Sequence, residues 1–352
     1  MKKKQLEKPF EYLRRKDGTA FAPEVVKNWY EARAYVLEKL KDTAIGPESN
    51  EHLHVVVTGD SPLMLSVVRQ VALIAHFANF DDTKDGNRTM ITIVSSNKQI
   101  LDELTKEEYL SNLPNHCHLT IHGYKSGNFS NFTDIDIEIV ERWAGEENGI
   151  IVMTEPEATA FIKSKSPQEI YCIDTRKAVI VDRIYSIGTL IDNLPAEDIH
   201  SISRYSLALD AFQYRLLKKD MRPLVDAKSW EHDITKVRNG LSNIFCSDCF
   251  DLRIKCFGKE KSEAYSKSEH ARWVTEKLIM GFRPINKAER IQDERSTGIA
   301  KAQYRKQLKE NPSDPTHIDI CDYTTLRRID PESLKYDAFL MLAIPMIQDS
   351  VQ

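Results

Sequence analysis

The sequence predicts an α/β protein: a doubly wound parallel sheet in the first half of the chain, followed by a small α-helical module near the C-terminus. Three observations carry this prediction. Between residues 53 and 175, short β-branched runs alternate with stretches of helical period. The runs are apolar at consecutive positions, which marks strands covered on both faces. From residue 262 onward, helical spacing and charged spacers replace the strand runs.

The elements follow in order. The first 20 residues are charged, contain Gly18 and read as an arm. Pro23 suits a first helical position. Val26, Trp29, Tyr30, Leu37 and Leu40 then recur at helical steps, predicting a helix over Pro23–Asp42. Gly46–Asn50 reads as a linker that closes an N-terminal unit over residues 1–50. A Rossmann-like unit over residues 51–195 is expected next. Its strands are Leu53–Thr58, Thr89–Val94, His118–His122, Gly149–Thr154 and Glu169–Asp174. Its helices are Pro62–Phe80, Lys98–Tyr109, a stretch around Asp136–Trp143, and Glu157–Lys163. Residues 196–261 read as a linking region, with a long helix over Ala196–Lys219 and a strand-like run at Leu252–Phe257. The C-terminal unit spans residues 262–345.

Composition excludes several function classes. The 352 residues include 49 Lys plus Arg and 53 Asp plus Glu, a net charge of −4, so no broad nucleic-acid-binding surface is expected. Apolar residues make up 41 % of the chain, enough for a sizeable core. The longest apolar run, Phe339 to Ile347, is nine residues interrupted by Pro345, well short of the roughly 18–20 that cross a bilayer. The start, MKKKQLEKPF, has no apolar stretch behind its basic residues and is not a secretory signal. The six cysteines form no closely spaced even framework, so reduced thiols and a cytoplasmic protein are expected.

A dinucleotide site needs a glycine-rich turn after the first strand and an acidic residue ending the second. The chain reads Thr58-Gly59-Asp60-Ser61-Pro62-Leu63-Met64, and its second strand ends in Ser95-Ser96-Asn97. Only Gly59 stands where glycine is wanted, and Asp60 places a carboxylate beside any phosphate. A structural layer whose nucleotide site has decayed or been repurposed is favoured over NAD binding. Ser61 suits a helix cap ahead of Pro62. Gly59, Asp60, Ser61 and Ser95 are the residues that would touch a nucleotide at this turn. The layout from Val55 to Thr175 resembles the nucleotide-binding regulatory domains of Trk-type potassium transport systems. That resemblance implies a nucleotide as ligand and a membrane transport protein as partner.

Other chemistry-bearing residues read as structural. Cys246 and Cys249 form a CxxC with Cys256 and His232 nearby, but no second close pair completes a zinc set. Buried, inert thiols are expected there. His116 and His118 flank Cys117 at a strand start, where alternation separates them from the cysteine. Neither a G-x-S-x-G elbow, nor H-E-x-x-H, nor a phosphate loop occurs. The expectation is therefore a protein without catalytic residues or a metal.

The C-terminal unit carries the most specific pattern. Ser268 suits an N-cap. His270, Trp273 and Lys277, spaced i, i+3 and i+7, share one helix face, Gly281 ends the helix and Phe282 leaves it. A charged spacer, Asn286–Pro315, predicts a helix plus a loop, and then come His317, Asp319, Ile320, Tyr323, Leu326 and Asp337. In this order His270, Trp273, Gly281, Phe282, His317, Asp319, Ile320, Tyr323, Leu326 and Asp337 resemble the RyR domain, the repeat module named after ryanodine receptors. Ile318 and Arg283 depart from that pattern, which usually has Pro after the second His and Gly after the aromatic. The resemblance implies two helix pairs and a role in ligand binding or regulation. Candidate ligand residues are His270, Trp273, Lys277, Phe282, Arg283, His317 and Tyr323. Core packing is the competing reading for Trp273 and Phe282, and a satisfied core histidine for His270.

The functional expectation is a cytoplasmic regulator that senses a nucleotide-type small molecule and signals to a transport or effector partner. Two alternatives stand beside it. One is an NAD(P)-linked or nucleotide-processing enzyme. The other is a homodimeric scaffold, with Pro23–Asp42 and Ala196–Lys219 as its contact faces.

Overall fold

The structure is a computed structural model, and it describes residues 22–58, 62–80, 88–95, 117–120, 135–141, 151–152, 178–180, 242, 244–257 and 263–338. Elements are numbered in chain order among these residues. Helix α1 (Pro23–Leu40) starts on Pro23, as expected, and buries Trp29, Tyr30, Ala32, Tyr35, Val36 and Leu40. It packs on α2 (Pro62–Ile74), which contacts β1 (His52–Thr58) and β2 (Thr89–Ser95). The apolar face of α1 is thus used inside the chain.

The strands form a six-stranded sheet in the order β3-β4-β2-β1-β5, with β6 also on β1. Here β3 is Cys117–Thr120, β4 Ile135–Glu141, β5 Ile151–Val152 and β6 Ala178–Ile180. All pairs are parallel except β1 with β5. The chain is therefore an α/β protein with a mostly parallel sheet and a helical C-terminal part.

Four expectations about elements are corrected. The stretch around Asp136–Trp143 is not helical: residues 135–141 form a strand between β2 and β3. Its Ile-Asp-Ile-Glu-Ile alternation has a period of two, which suits a pleated strand. Helix α2 ends at Ile74 rather than at Phe80. Residues 75–80 stay buried, and side chains bind the backbone on either side: the Thr89 hydroxyl donates to the Ala75 carbonyl (2.7 Å), and the Asn79 amide donates to the carbonyls of Ser49 and Glu51. The strand expected at Gly149–Thr154 is two residues long and antiparallel to β1. The strand-like run Leu252–Phe257 lies in helix α3 (Phe250–Phe257). Glu169–Asp174, Lys98–Tyr109, Glu157–Lys163 and Ala196–Lys219 lie outside the described residues.

Helix α4 (Glu263–Ile279) begins upstream of Ser268, which is interior and buried and not a cap. At its C-terminus the Gly281 N–H donates to the Leu278 carbonyl (3.0 Å) and the Phe282 N–H to the Lys277 carbonyl (2.9 Å). This is a Schellman ending, and it requires the positive φ of +82° at Gly281 that glycine permits. The spacer forms two helices rather than one, α5 (Lys287–Arg295) and α6 (Gly298–Glu310). An Asn286–Glu289 capping box starts α5. The two-residue strands β7 (Arg283–Pro284) and β8 (Thr316–His317) then pair in parallel, returning the chain to the end of α4. Asp322 caps α7 (Tyr323–Ile329), and a 3-10 turn at Pro331–Ser333 leads to Asp337.

One apolar cluster runs through both halves. It joins Leu53, Val55 and Ile93 of the sheet and Val67 and Leu73 of α2 to Phe245, Phe250, Val274, Leu278, Phe282 and Ile320. The Arg33 guanidinium of α1 adds a buried pair, donating to both carboxylate oxygens of Asp248 (Nε–Oδ2 2.6 Å). Among the described residues no helix is long and apolar enough to cross a membrane.

Candidate functional site

Helix α4 positions the candidate site. It is buried nearly all round although much of its surface is charged, so its charges must be paired within the fold. Arg253 of α3 donates to Glu269. Arg272 grips the same carboxylate with Nε and Nη2 (2.9–3.0 Å) and reaches Glu276 Oε2 with Nη1 (2.8 Å). The Ser242 hydroxyl also donates to Glu276 Oε2 (2.7 Å), and Lys277 Nζ donates to Oε1 (2.6 Å). The result is a ladder of alternating sign that ends at Lys277. Burial alone would raise both carboxyls. The guanidiniums of Arg253 and Arg272 hold Glu269 below the usual carboxylate range, and Lys277 and Arg272 do the same for Glu276.

Beyond the ladder lies an aromatic group. Trp273 is half-buried, with the Lys277 ammonium 5.4 Å from its ring centroid. His270 stacks on it (6.0 Å, 19°), and His317 meets it edge-on (4.8 Å, 79°). His317 reaches this place because β8 pairs with β7 directly after the glycine ending of α4. The Asp319 N–H donates to His317 Nδ1 (3.2 Å), so a neutral ring carries its hydrogen on Nε2. Burial, together with Lys309, Lys277 and Arg305, holds the His317 pKa well below its ordinary value. The 3.7 Å approach of His317 to Asp319 is therefore a neutral contact rather than an ion pair.

The seven predicted ligand residues divide. Trp273, Lys277 and His317 form the group just described. Phe282 is buried in the core beside His317 (6.3 Å) and acts as packing. His270 is a clamp: Nε2 lies 2.8 Å from the Cys321 carbonyl and Nδ1 3.3 Å from Asp337 Oδ2. Burial opposes its charge, but Asp337 and the carbonyl outweigh burial and push its pKa up to about 10. Tyr323 is buried edge-on to His270, with Arg327 over its ring. Arg283 is paired with Glu289 (2.7 and 2.8 Å) and Asp314 (2.6–2.9 Å).

At the sheet, Gly59, Asp60 and Ser61 lie outside the described residues. Ser95 closes β2 in register with Glu141, on the edge where β1 also ends.

The burial expected of Cys246, Cys249 and Cys256 is found. Cys246, Cys249, Cys256 and Cys321 are free and buried. Burial pushes the Cys249 thiol up to about 12, and its Sγ donates to the Leu73 and Phe245 carbonyls. Cys117 and His118 are successive residues of β3, while His116 and His232 lie outside the described residues. Among the described residues no three His, Cys, Asp or Glu side chains are grouped to hold a metal ion.

Sequence reasoning missed Lys309. It sits in a charged spacer that reads as solvated, on α6, which packs on β8. No protein-family model, no curated protein and no solved structure matches this chain.

Proposed function

We propose that this chain is a cytoplasmic regulatory protein without catalytic chemistry of its own, which senses a nucleotide-type small molecule and passes the change to a transport or effector partner. In this reading residues 262–345 act as an RyR-like module and the sheet as part of a Rossmann-like, doubly wound layer. The observation that carries it is the group at the end of α4: a half-buried Trp273 face, a cation over that face, and a neutral imidazole beside it. An aromatic face with a nearby cation suits a planar ring bearing an anion. The order of the sheet supports the Rossmann-like reading, because β1 has β2 on one side and the much later β6 on the other. In open α/β sheets the crevice at such a reversal is the usual ligand site.

A thermal-shift screen of the full chain against nucleotides, nucleotide second messengers and NAD(H) tests the reading. A concentration-dependent rise in Tm is the expected result. A folded sample that moves with none of them overturns it.

A further inference from the structure

We draw no further inference here: the strongest candidate, the surface of the paired helices α5 and α6 on which Ile291 and Ile299 stand exposed, carries nothing, because nothing in the structure shows what covers it.

Discussion

Helices α2 and α4 are both buried almost all round, and they achieve it by opposite means. From Met64 to Ile74 every residue of α2 is buried, and most are apolar. The buried residues of α4 include Ser266, Ser268, Glu269, His270, Arg272, Thr275, Glu276 and Lys277. Apolar burial is non-directional and tolerates small changes in shape. Buried charge is directional: each group needs its partner at contact distance, and loss of one partner strands the other. The two helices touch, so one core contains a tolerant wall and an exacting one.

The largest expected effect breaks the ladder. Arg272→Met leaves Glu269 with Arg253 alone and Glu276 with Lys277 and Ser242, and is expected to cost about 3–5 kcal/mol. Urea unfolding would show it, and a midpoint equal to the parent's would refute the exacting character of α4.

A smaller effect, about 1.5–3 kcal/mol, is expected for Asp337→Asn, which removes the charged partner of His270. Its signature is in pH. The folded His270 pKa is raised from 6.5 to about 10. The clamp's contribution is therefore present below about pH 6.5, down to where the Asp337 carboxyl, which burial raises above its ordinary value, takes up a proton, and it is lost as pH rises toward 10. The parent's Tm should fall over that interval, and the Asp337→Asn variant should fall less; parallel profiles would sink the assignment. On the tolerant side, Ile74→Val in α2 is expected to cost only about 0.5–1.5 kcal/mol in the same urea measurement, a value that would be contradicted by a loss as large as that of Arg272→Met. The smallest change is Arg327→Gln, which removes an exposed, solvent-screened pair with Glu263 and should leave the urea midpoint close to the parent's.

The same contrast explains what was legible in the sequence. β1, β2 and α2 announce themselves through consecutive apolar residues; both strands lie close to their expected spans, and α2 starts where expected but ends six residues early. β4 was misread because the acidic residues between its isoleucines resemble a polar helix face, although their period is that of a strand. In α4 the face bearing His270, Trp273 and Lys277 was readable from spacing. The fate of each side chain was not. His270 turned out to be held by Asp337 and Arg283 by Asp314, partners 67 and 31 residues away.

The ladder also bears on what can be cut from this chain and moved elsewhere. A fragment starting at residue 262 would keep Glu269 and Glu276 but leave Arg253 and Ser242 behind. It would also uncover the apolar side of Val274 and Leu278, which shares a cluster with Phe245 and Phe250. A cut before Ser242 would keep those counter-charges but strand Asp248, whose buried partner Arg33 lies in α1, so the ladder does not lift out of this chain as a cassette.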